Sequence, residues 1–513
     1  MIDNREAIEV EVLVVGLGPV GDVLALLLAE RGIGVMAIER DPQPYCLPRA
    51  ASFDDESMRT FQQLGVSDAV AENARVAREY RFVNGDGVTL MEFEFPEVSA
   101  MGWPLAYLCH QPHIEEMLRN QMRKHKLIDM RLGTRLVEIE SNGADGAVLV
   151  IADGDGALRV KARFVVGCDG GSSTVRRLAG IDLFDYGFEE PWLVIDALVQ
   201  DETGLSPAIT QICDPRRPLT ALPMAPGRRR WEFMLLPGES AEEMMADEVI
   251  KKLLAPHIEI SRAEIVRKAV YQFHALVARR WRAGSILLAG DAAHQTPPFR
   301  GQGMCLGIRD AVNLAWKLAL VVIDGADERL LDTYQTEREP HVRATIETAI
   351  HMGRVICTLD PLAAAARDQN MIALRDAGGQ PPRLEMPPLR GGLISSLPRA
   401  GEIFPQPWAT RKQGGGKKLL DDLLPYGFWL ITREHGLLDY SPGELAEGVC
   451  LRIGSDFEDD GTIATWLDEA DADAVLVRPD RYVFGTAKHA CTLLEALHQF
   501  TEFRSTGAAE IKA

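Results

Sequence analysis

Four apolar residues, Val12-Leu13-Val14-Val15, run into Gly16-Leu17-Gly18-Pro19-Val20-Gly21 and then into a helical pattern through Ala25, Leu28 and Ala29. An unbroken apolar run of this kind reads as a strand buried on both faces, the habit of parallel sheets. The three glycines have separate tasks. The first permits a tight turn, the second lets a pyrophosphate approach the backbone, and the third lets helix and strand pack closely. A second strand, Val35-Met36-Ala37-Ile38, ends at Glu39, 18 positions beyond Gly21, near where an acid that binds a ribose hydroxyl pair is expected. A glycine-rich turn serving only the chain's own packing is the alternative. With strand, helix and acid all in place, the pattern predicts a dinucleotide-binding βαβ unit.

Two further turns follow the same plan. Phe164-Val165-Val166-Gly167 leads into Cys168-Asp169-Gly170-Gly171, then Ser172, Ser173, Arg176 and Arg177. Seen alone this is equally an ordinary strand-to-helix turn, with Asp169 serving a cofactor or capping its helix. Ile286-Leu287-Leu288-Ala289 leads into Gly290-Asp291-Ala292-Ala293-His294, Pro297, Pro298 and Gly301-Gln302-Gly303, ahead of a long helical pattern. Here an acid at a strand end can accept hydrogen bonds from sugar-like hydroxyls, and N–H groups at the helix start face developing negative charge. Pro297 and Pro298 stiffen the approach and donate no N–H. Three such turns in this order are far more specific than any one.

With these turns the chain resembles the class A flavoprotein monooxygenases, single-component FAD enzymes that hydroxylate aromatic rings. Within them it is most similar to the bacterial 3-(3-hydroxyphenyl)propionate hydroxylases. That likeness is carried by Pro48-Arg49-Ala50, Asp54-Asp55-Glu56, Gly102-Trp103-Pro104, Gln111-Pro112, Cys213-Asp214-Pro215, Glu232-Phe233-Met234, Arg309-Asp310-Ala311, Asn313-Leu314-Ala315-Trp316-Lys317 and Val477-Arg478-Pro479-Asp480-Arg481, so it spans nearly the whole chain. Leu17 and Asp22 depart from it, standing where relatives usually carry smaller or apolar residues.

The resemblance implies an α/β fold: a Rossmann-like FAD-binding domain (GR2-type), an inserted, mostly antiparallel substrate-binding sheet, and a C-terminal thioredoxin-like domain. Residues 1–75, 106–184 and 276–358 read as a discontinuous FAD-binding domain, and 76–105 and 185–275 as the substrate-binding sheet. Residues 359–399, rich in Ala, Gly and Pro and including Gln380-Pro381-Pro382, read as a linker, and 400–513 as a compact α/β module. That module has no Cys-x-x-Cys, which excludes disulfide exchange as its task and leaves a structural or interaction role. Helix 304–322 sets Ile308, Val312, Ala315, Leu318 and Val322 on one face, and Trp316 reads as core packing.

Length and charge narrow the function. At 513 residues the chain exceeds one ordinary core. A net charge of −20 disfavours nucleic acid and anionic membrane as partners. The longest apolar stretch, near 314–323, is interrupted by Lys317 and too short to span a bilayer. The polar N-terminus is unlike a secretory signal, and eight scattered cysteines without metal-ligand spacing fit free thiols in a reducing cytoplasm. A homodimer is allowed.

By resemblance, NADH or NADPH reduces FAD, O₂ adds at the flavin C4a position, and the hydroperoxide passes one oxygen to a phenolic ring. Gly16, Gly18, Pro19, Gly21, Glu39 and Arg40 would hold the adenosine end, Arg49 the phosphates, and Gln111 and Asp291 the ribityl chain. Asp169, Gly290, Pro298, Gly301, Gly303 and Met304 complete the cofactor set. N–H groups near Gly301 and Gly303 would stabilise charge at the flavin N1 and C2 oxygen. Pro298, His294, Tyr271 and His274 are the catalytic candidates, Pro298 through a carbonyl facing the ring. Phenol deprotonation raises ring electron density, and Tyr107 and His110 join them as candidate proton acceptors. Arg216 or Arg217 could meet a substrate carboxylate, but surface solvation is the simpler role for both, and for the run Arg228-Arg229-Arg230.

Rival classes lack their signatures. A flavin halogenase would carry Trp-x-Trp-x-Ile-Pro, absent here, and a two-nucleotide reductase needs a second Gly-x-Gly-x-x-Gly, which does not follow Gly21. A hydroxylase tailoring a polyketide or another phenol would use the same motifs. A non-enzymatic FAD-fold carrier would not need the turn at 290–303.

Overall fold

A computed structural model describes residues 7–43, 49–154, 156–379, 386–412, 414–434, 448–498, 500 and 503. Cys46, Pro48 and Gln380-Pro381-Pro382 lie outside the described residues. Parallel pairing organises the first sheet. Strand Ile8–Val15 lies between Val35–Glu39 and Ala157–Gly167 and is parallel to both. Ile128–Leu132 extends the sheet on one side and Ile286–Leu288 on the other, again in parallel. Val12, Leu13, Val14, Val165 and Val166 are wholly buried. Their lack of polar alternation is thus the mark of strands covered on both faces. Helix Pro19–Glu30 packs on helix Gly303–Val322 over one of those faces.

The second sheet has eight strands in the order His294–Gln295, Ala263–Ala278, Leu183–Val199, Arg228–Met234, Leu219–Pro223, Ile209–Cys213, Glu79–Asn84 and Thr89–Glu94. All pairs are antiparallel except Ile209–Cys213 with Glu79–Asn84. Its faces differ, as strand alternation requires. Leu193, Ile195, Trp231 and Phe233 pack with Ile250 and Leu254 of helix Asp247–Leu254. Trp192, Val194, Asp196, Arg230 and Glu232 alternate with them and take the other face. There Trp192 and Phe273 meet the ring of Phe299, at 5.6 and 6.2 Å between centroids. The strands Ile286–Leu288 and His294–Gln295 are separated by a few residues yet belong to different sheets, so the turn at 290–303 joins the two layers.

Beyond residue 400, strands Gly448–Arg452, Phe428–Thr432, Ala474–Val477 and Val483–Ala487 form a sheet in that order, the first pair parallel and the others antiparallel. Buried charges dock it against the long helices. Arg478 reaches Glu337 at 2.7 Å and Asp480 at 2.5 Å, and Lys317 reaches Glu337 at 2.8 Å. Trp316 packs here as well, edge-on to Phe428 at 5.8 Å.

Residues 359–399 contain the helix Pro361–Asp376, whose cap Asp360 accepts the Ala363 N–H at 2.8 Å. An Asp-Pro start before an alanine run favours a helix, a signal that overall Gly and Pro content conceals. No helix among the described residues is long and apolar enough to cross a membrane.

Candidate cofactor and active site

The carboxyl ends of the parallel strands open on a cavity, where open α/β sheets bind ligands. Gly16 to Pro19, Glu39, Arg40, Arg49, Gln111, Glu115, Arg119, Cys168 and Asp169 line it. Gly16 has φ 98°, and a Cβ on Gly21 would lie 1.9 Å from the Gly16 carbonyl oxygen. Gly18 differs: nothing lies within 4 Å of where its Cβ would sit. Open space therefore remains at the start of helix Pro19–Glu30, which no side chain caps. A pyrophosphate fits that combination of room, N–H groups and helix dipole.

The surrounding side chains are held in place. Glu39 accepts the Leu17 N–H at 2.9 Å and the Asp41 N–H at 3.0 Å. Gln111 Oε1 accepts the N–H groups of Arg49 at 3.2 Å and Ala50 at 2.7 Å, while its Nε2 donates to Glu115 at 2.7 Å. Gln111 thus steers the segment that carries Arg49, which is exposed at the cavity edge.

Arg119 escaped the sequence reading. It is 2% exposed, lines the cavity, donates to the Leu17 carbonyl, and lies 3.4 Å from Asp22. Arg119 Nε and Nη1 and both Asp22 carboxylate oxygens have no hydrogen-bond partner among the described residues. Burial holds the Asp22 carboxyl well above its ordinary range against the pull of Arg119. The unusual acid in the glycine turn is therefore answered by a cation facing the cofactor cavity. The four-residue spacing of Gln111, Glu115 and Arg119, which puts them on one helix face, was the available signal.

The other two turns are fastened to each other. Arg176 donates to the Gly171 carbonyl at 2.8 Å and to the Ala292 carbonyl at 2.9 Å, and Gln295 donates to Gly171 at 3.2 Å. Asp169 lines the cavity and caps helix Thr174–Leu178, accepting the N–H groups of Thr174 at 2.6 Å and Val175 at 3.1 Å. Asp291 is exposed, within reach of the Arg49 charge. Pro298 opens a short 3₁₀ turn, and its carbonyl accepts the Gly301 N–H at 2.7 Å. That bond engages the Gly301 donor expected for the flavin and one of the two lone pairs of the Pro298 carbonyl. Gly303 and Met304 instead begin helix Gly303–Val322, which has no side-chain cap and so leaves its first N–H groups without intrahelical acceptors.

The catalytic candidates separate. His294 is 1% exposed, with Nε2 2.6 Å from Asp310 Oδ2; the same carboxylate takes the Gly290 N–H at 3.0 Å and Arg338 Nε at 2.9 Å. His294 and the Gly290 N–H thus share one carboxylate oxygen. His274 lies 3.6 Å from Glu189 on the sheet face opposite Phe273. Tyr107 is buried, stacked on Phe53 at 4.9 Å. His110 is buried, and its imidazole is pulled down to about 4 by burial and then by Arg228. Tyr271 does lie on the face towards Phe299, where its hydroxyl accepts from Arg267.

The run Arg228-Arg229-Arg230 is not a solvated surface. Arg229 and Arg230 are 4% and 3% exposed, because their strand is interior to the second sheet. Arg230 donates to both Asp196 oxygens, at 2.6 and 3.1 Å, and Arg267 donates to Asp196 at 3.1 Å. Glu232 lies 3.5 Å from Arg230. Beside this cluster Thr220 donates to Gln211 at 2.7 Å, Gln211 to the Tyr80 hydroxyl at 3.1 Å, and Tyr80 to the Phe299 carbonyl at 2.9 Å. Arg217 is bound to Glu239 at 2.5 Å, and Arg216 to Asp214 at 2.8 Å.

Residues 9–349 match the family model described as FAD binding domain. Over 500 residues, 94% of this chain and 93% of the relative, the sequence is 40% identical to the "Probable NADH-specific resorcinol 4-hydroxylase" of Rhodococcus jostii (strain RHA1). The chain belongs to the FAD-dependent aromatic hydroxylases. A second member, the 3-(3-hydroxy-phenyl)propionate/3-hydroxycinnamic acid hydroxylase of Mycolicibacterium smegmatis (strain ATCC 700084 / mc(2)155), is 33% identical over 540 residues, covering 97% of this chain and 94% of that one. Among solved hydroxylases, aklavinone-11 hydroxylase in a ternary complex with FAD and aklavinone superposes with a TM-score of 0.78 at 25% identity, covering 96% of this chain and 99% of that chain. PieE, a flavin-dependent monooxygenase solved with FAD and substrate, shares the fold at a TM-score of 0.81 and 20% identity, over 97% and 99% of the two chains. This hydroxylase is therefore a flavin-dependent monooxygenase, and the cavity over Gly18 fits the pyrophosphate of its FAD.

Proposed function

We propose that the enzyme uses NADH and O₂ to hydroxylate a small phenol of the resorcinol type. Support comes from the face of the second sheet that meets Phe299. Its two buried arginines, Arg230 and Arg267, share Asp196, so neither is set apart for a substrate carboxylate. Arg216 and Arg217, the cations expected for that role, are occupied by Asp214 and Glu239. The NADH choice follows the name of the 40% identical relative. A phenolic acid of the 3-(3-hydroxyphenyl)propionate type is the second reading, favoured by the 33% identity to the Mycolicibacterium smegmatis hydroxylase.

Bound FAD supplies the hydride acceptance and oxygen activation that no side chain can. The chain's own residues bind and orient. Gly16, Gly18, Pro19, Gly21, Arg49 and Arg119 would hold the phosphates, Glu39 and Arg40 the adenosine, and Asp291 the ribityl chain, with the first-turn N–H groups at Gly303 and Met304 offering charge stabilisation. Trp192, Phe273 and Phe299 exclude water, which suppresses unproductive release of peroxide. We infer a thioredoxin-like C-terminal module, supported by its strand order, and a cytoplasmic place, supported by cysteines that are free wherever described.

The test is NADH oxidation with resorcinol, with 3-(3-hydroxyphenyl)propionate, and without a phenol, scored by hydroxylated product. Product from resorcinol supports the reading. NADH consumption that no phenol stimulates, with no product, would overturn it.

A further inference from the structure

The second sheet places one carboxylate between two contacts to the cofactor turns. Glu232 is the cross-strand partner of Val194 and of Thr220, on the face turned to Phe299. On one side Arg230, 3.5 Å away, donates to the Arg49 carbonyl at 2.9 Å. On the other, Thr220 begins the chain of hydrogen bonds that ends at Phe299. Glu232 is thus bracketed by the segment that carries Arg49 and by the turn that carries Pro298. It is 9% exposed, and Arg230 is the cation beside it.

We propose that Glu232 accepts the hydroxyl proton of a bound neutral phenol, an inference that rests on the phenol hydroxylase reading above. The phenol O–H bond breaks, its electron pair stays on oxygen as phenolate, and the proton joins a Glu232 carboxylate oxygen. The phenolate then presents an electron-rich ring. Asp196 keeps Arg230 and Arg267 in place, making them positioning residues.

The groups facing Glu232 favour this task. Arg230 stands on its own strand, Asp196 on Leu183–Val199, Arg267 and Tyr271 on Ala263–Ala278, and Tyr80 on Glu79–Asn84. Burial raises the Glu232 carboxyl, with Asp196 adding to the rise and Arg230 and Arg267 opposing it. A raised carboxyl is a stronger base, and the neighbouring arginines keep it ionisable. Tyr80 is a poor rival, since burial raises its hydroxyl and it already donates to Phe299. His110 is held neutral by burial and Arg228.

The experiment compares wild-type holoenzyme, Glu232→Gln and Glu232→Asp, each checked for FAD content and melting temperature. The readout is resorcinol hydroxylation across pH. Loss of a positioned base is worth about 10²- to 10⁴-fold. Glu232→Gln is expected to lose kcat/KM in that range together with the acidic limb of the pH profile, and Glu232→Asp to recover part of both. A Gln variant with near wild-type rate and an unchanged profile overturns the proposal. Should Glu232→Gln fail to bind FAD, the Asp variant decides: a retained acidic limb with a lower rate supports the role, and loss of that limb overturns it. Wild-type enzyme that hydroxylates no phenol overturns the functional reading as well, whereas wild-type product with an active Gln variant overturns only the role of Glu232.

Discussion

Arg230 Nη1 donates to the main-chain carbonyl of Arg49 at 2.9 Å, so a side chain of the second sheet supports the backbone of the cofactor loop. The same guanidinium holds Asp196 through two bonds. Substrate-side and cofactor-side geometry therefore meet at one residue. Lysine at position 230 keeps the charge but cannot reproduce the fork. Arg230→Lys is expected to weaken FAD binding about tenfold, the loss of one charge-assisted hydrogen bond, and to raise the KM for the phenol. Fluorescence titration of apoprotein with FAD and steady-state kinetics measure the two effects.

Asp22 gives a pH signature. Burial raises its carboxyl in the folded chain, so its proton-linked stability is fully present below 3.8 and is lost as pH rises through the folded value. Asp22→Asn removes the ionisation. The variant should melt near wild type at low pH and above it as pH increases, read from thermal melts of apoprotein across a pH series.

Asp310 has the opposite sign. Burial would raise it, but His294 and Arg338 hold it below 3.8. Its contribution is present above 3.8 and is lost as pH falls through the lower folded value. Asp310→Asn leaves Arg338 buried without its carboxylate and should cost about 3–5 kcal/mol, measured by urea unfolding. His294→Gln should lower stability while turnover per bound FAD stays near wild type, which separates a brace from a base.

The docked C-terminal module depends on Glu337. Although burial opposes it, Arg478 and Lys317 bring this carboxyl down to about 2, while Lys317 itself is pushed down to about 8 by burial. Glu337 stabilises the fold above its unfolded value of 4.5, an effect lost as pH falls towards 2. Glu337→Gln leaves Lys317 buried without its carboxylate and Arg478 with Asp480 alone, and should cost about 3–5 kcal/mol. Faster proteolysis after residue 400 is the expected sign, followed by gel electrophoresis over time.

Local patterns revealed the cofactor layer where residues 12–15, 35–38, 164–166 and 286–289 run apolar into Gly or an acid, whereas Ile128–Leu132, Ile-Asp-Met-Arg-Leu, carries no such signal. Gly16, Glu39 and Asp169 line the cavity, and Gly21 packs against the Gly16 carbonyl. The substrate face was harder to read. Arg230 and Glu232 look like surface residues until their strand is known to be interior, and the partner of Arg230, Asp196, stands 34 positions away. The surroundings of His294 were equally hidden: it pairs with Asp310, 16 positions away, a carboxylate that also takes Arg338 and the Gly290 N–H. Helix Pro361–Asp376 was hidden by the proline and glycine that follow it.

The short passage from Leu288 to Gln295 has a consequence for engineering. It leaves one layer as a parallel strand and enters the other as an antiparallel edge. Anyone transplanting a new specificity sheet from a relative would have to match Leu276 and Val277, which pair with Gln295 and His294. A chimera that keeps those four positions should preserve flavin loading, whereas one that cuts between them severs the seam on which both modules were built.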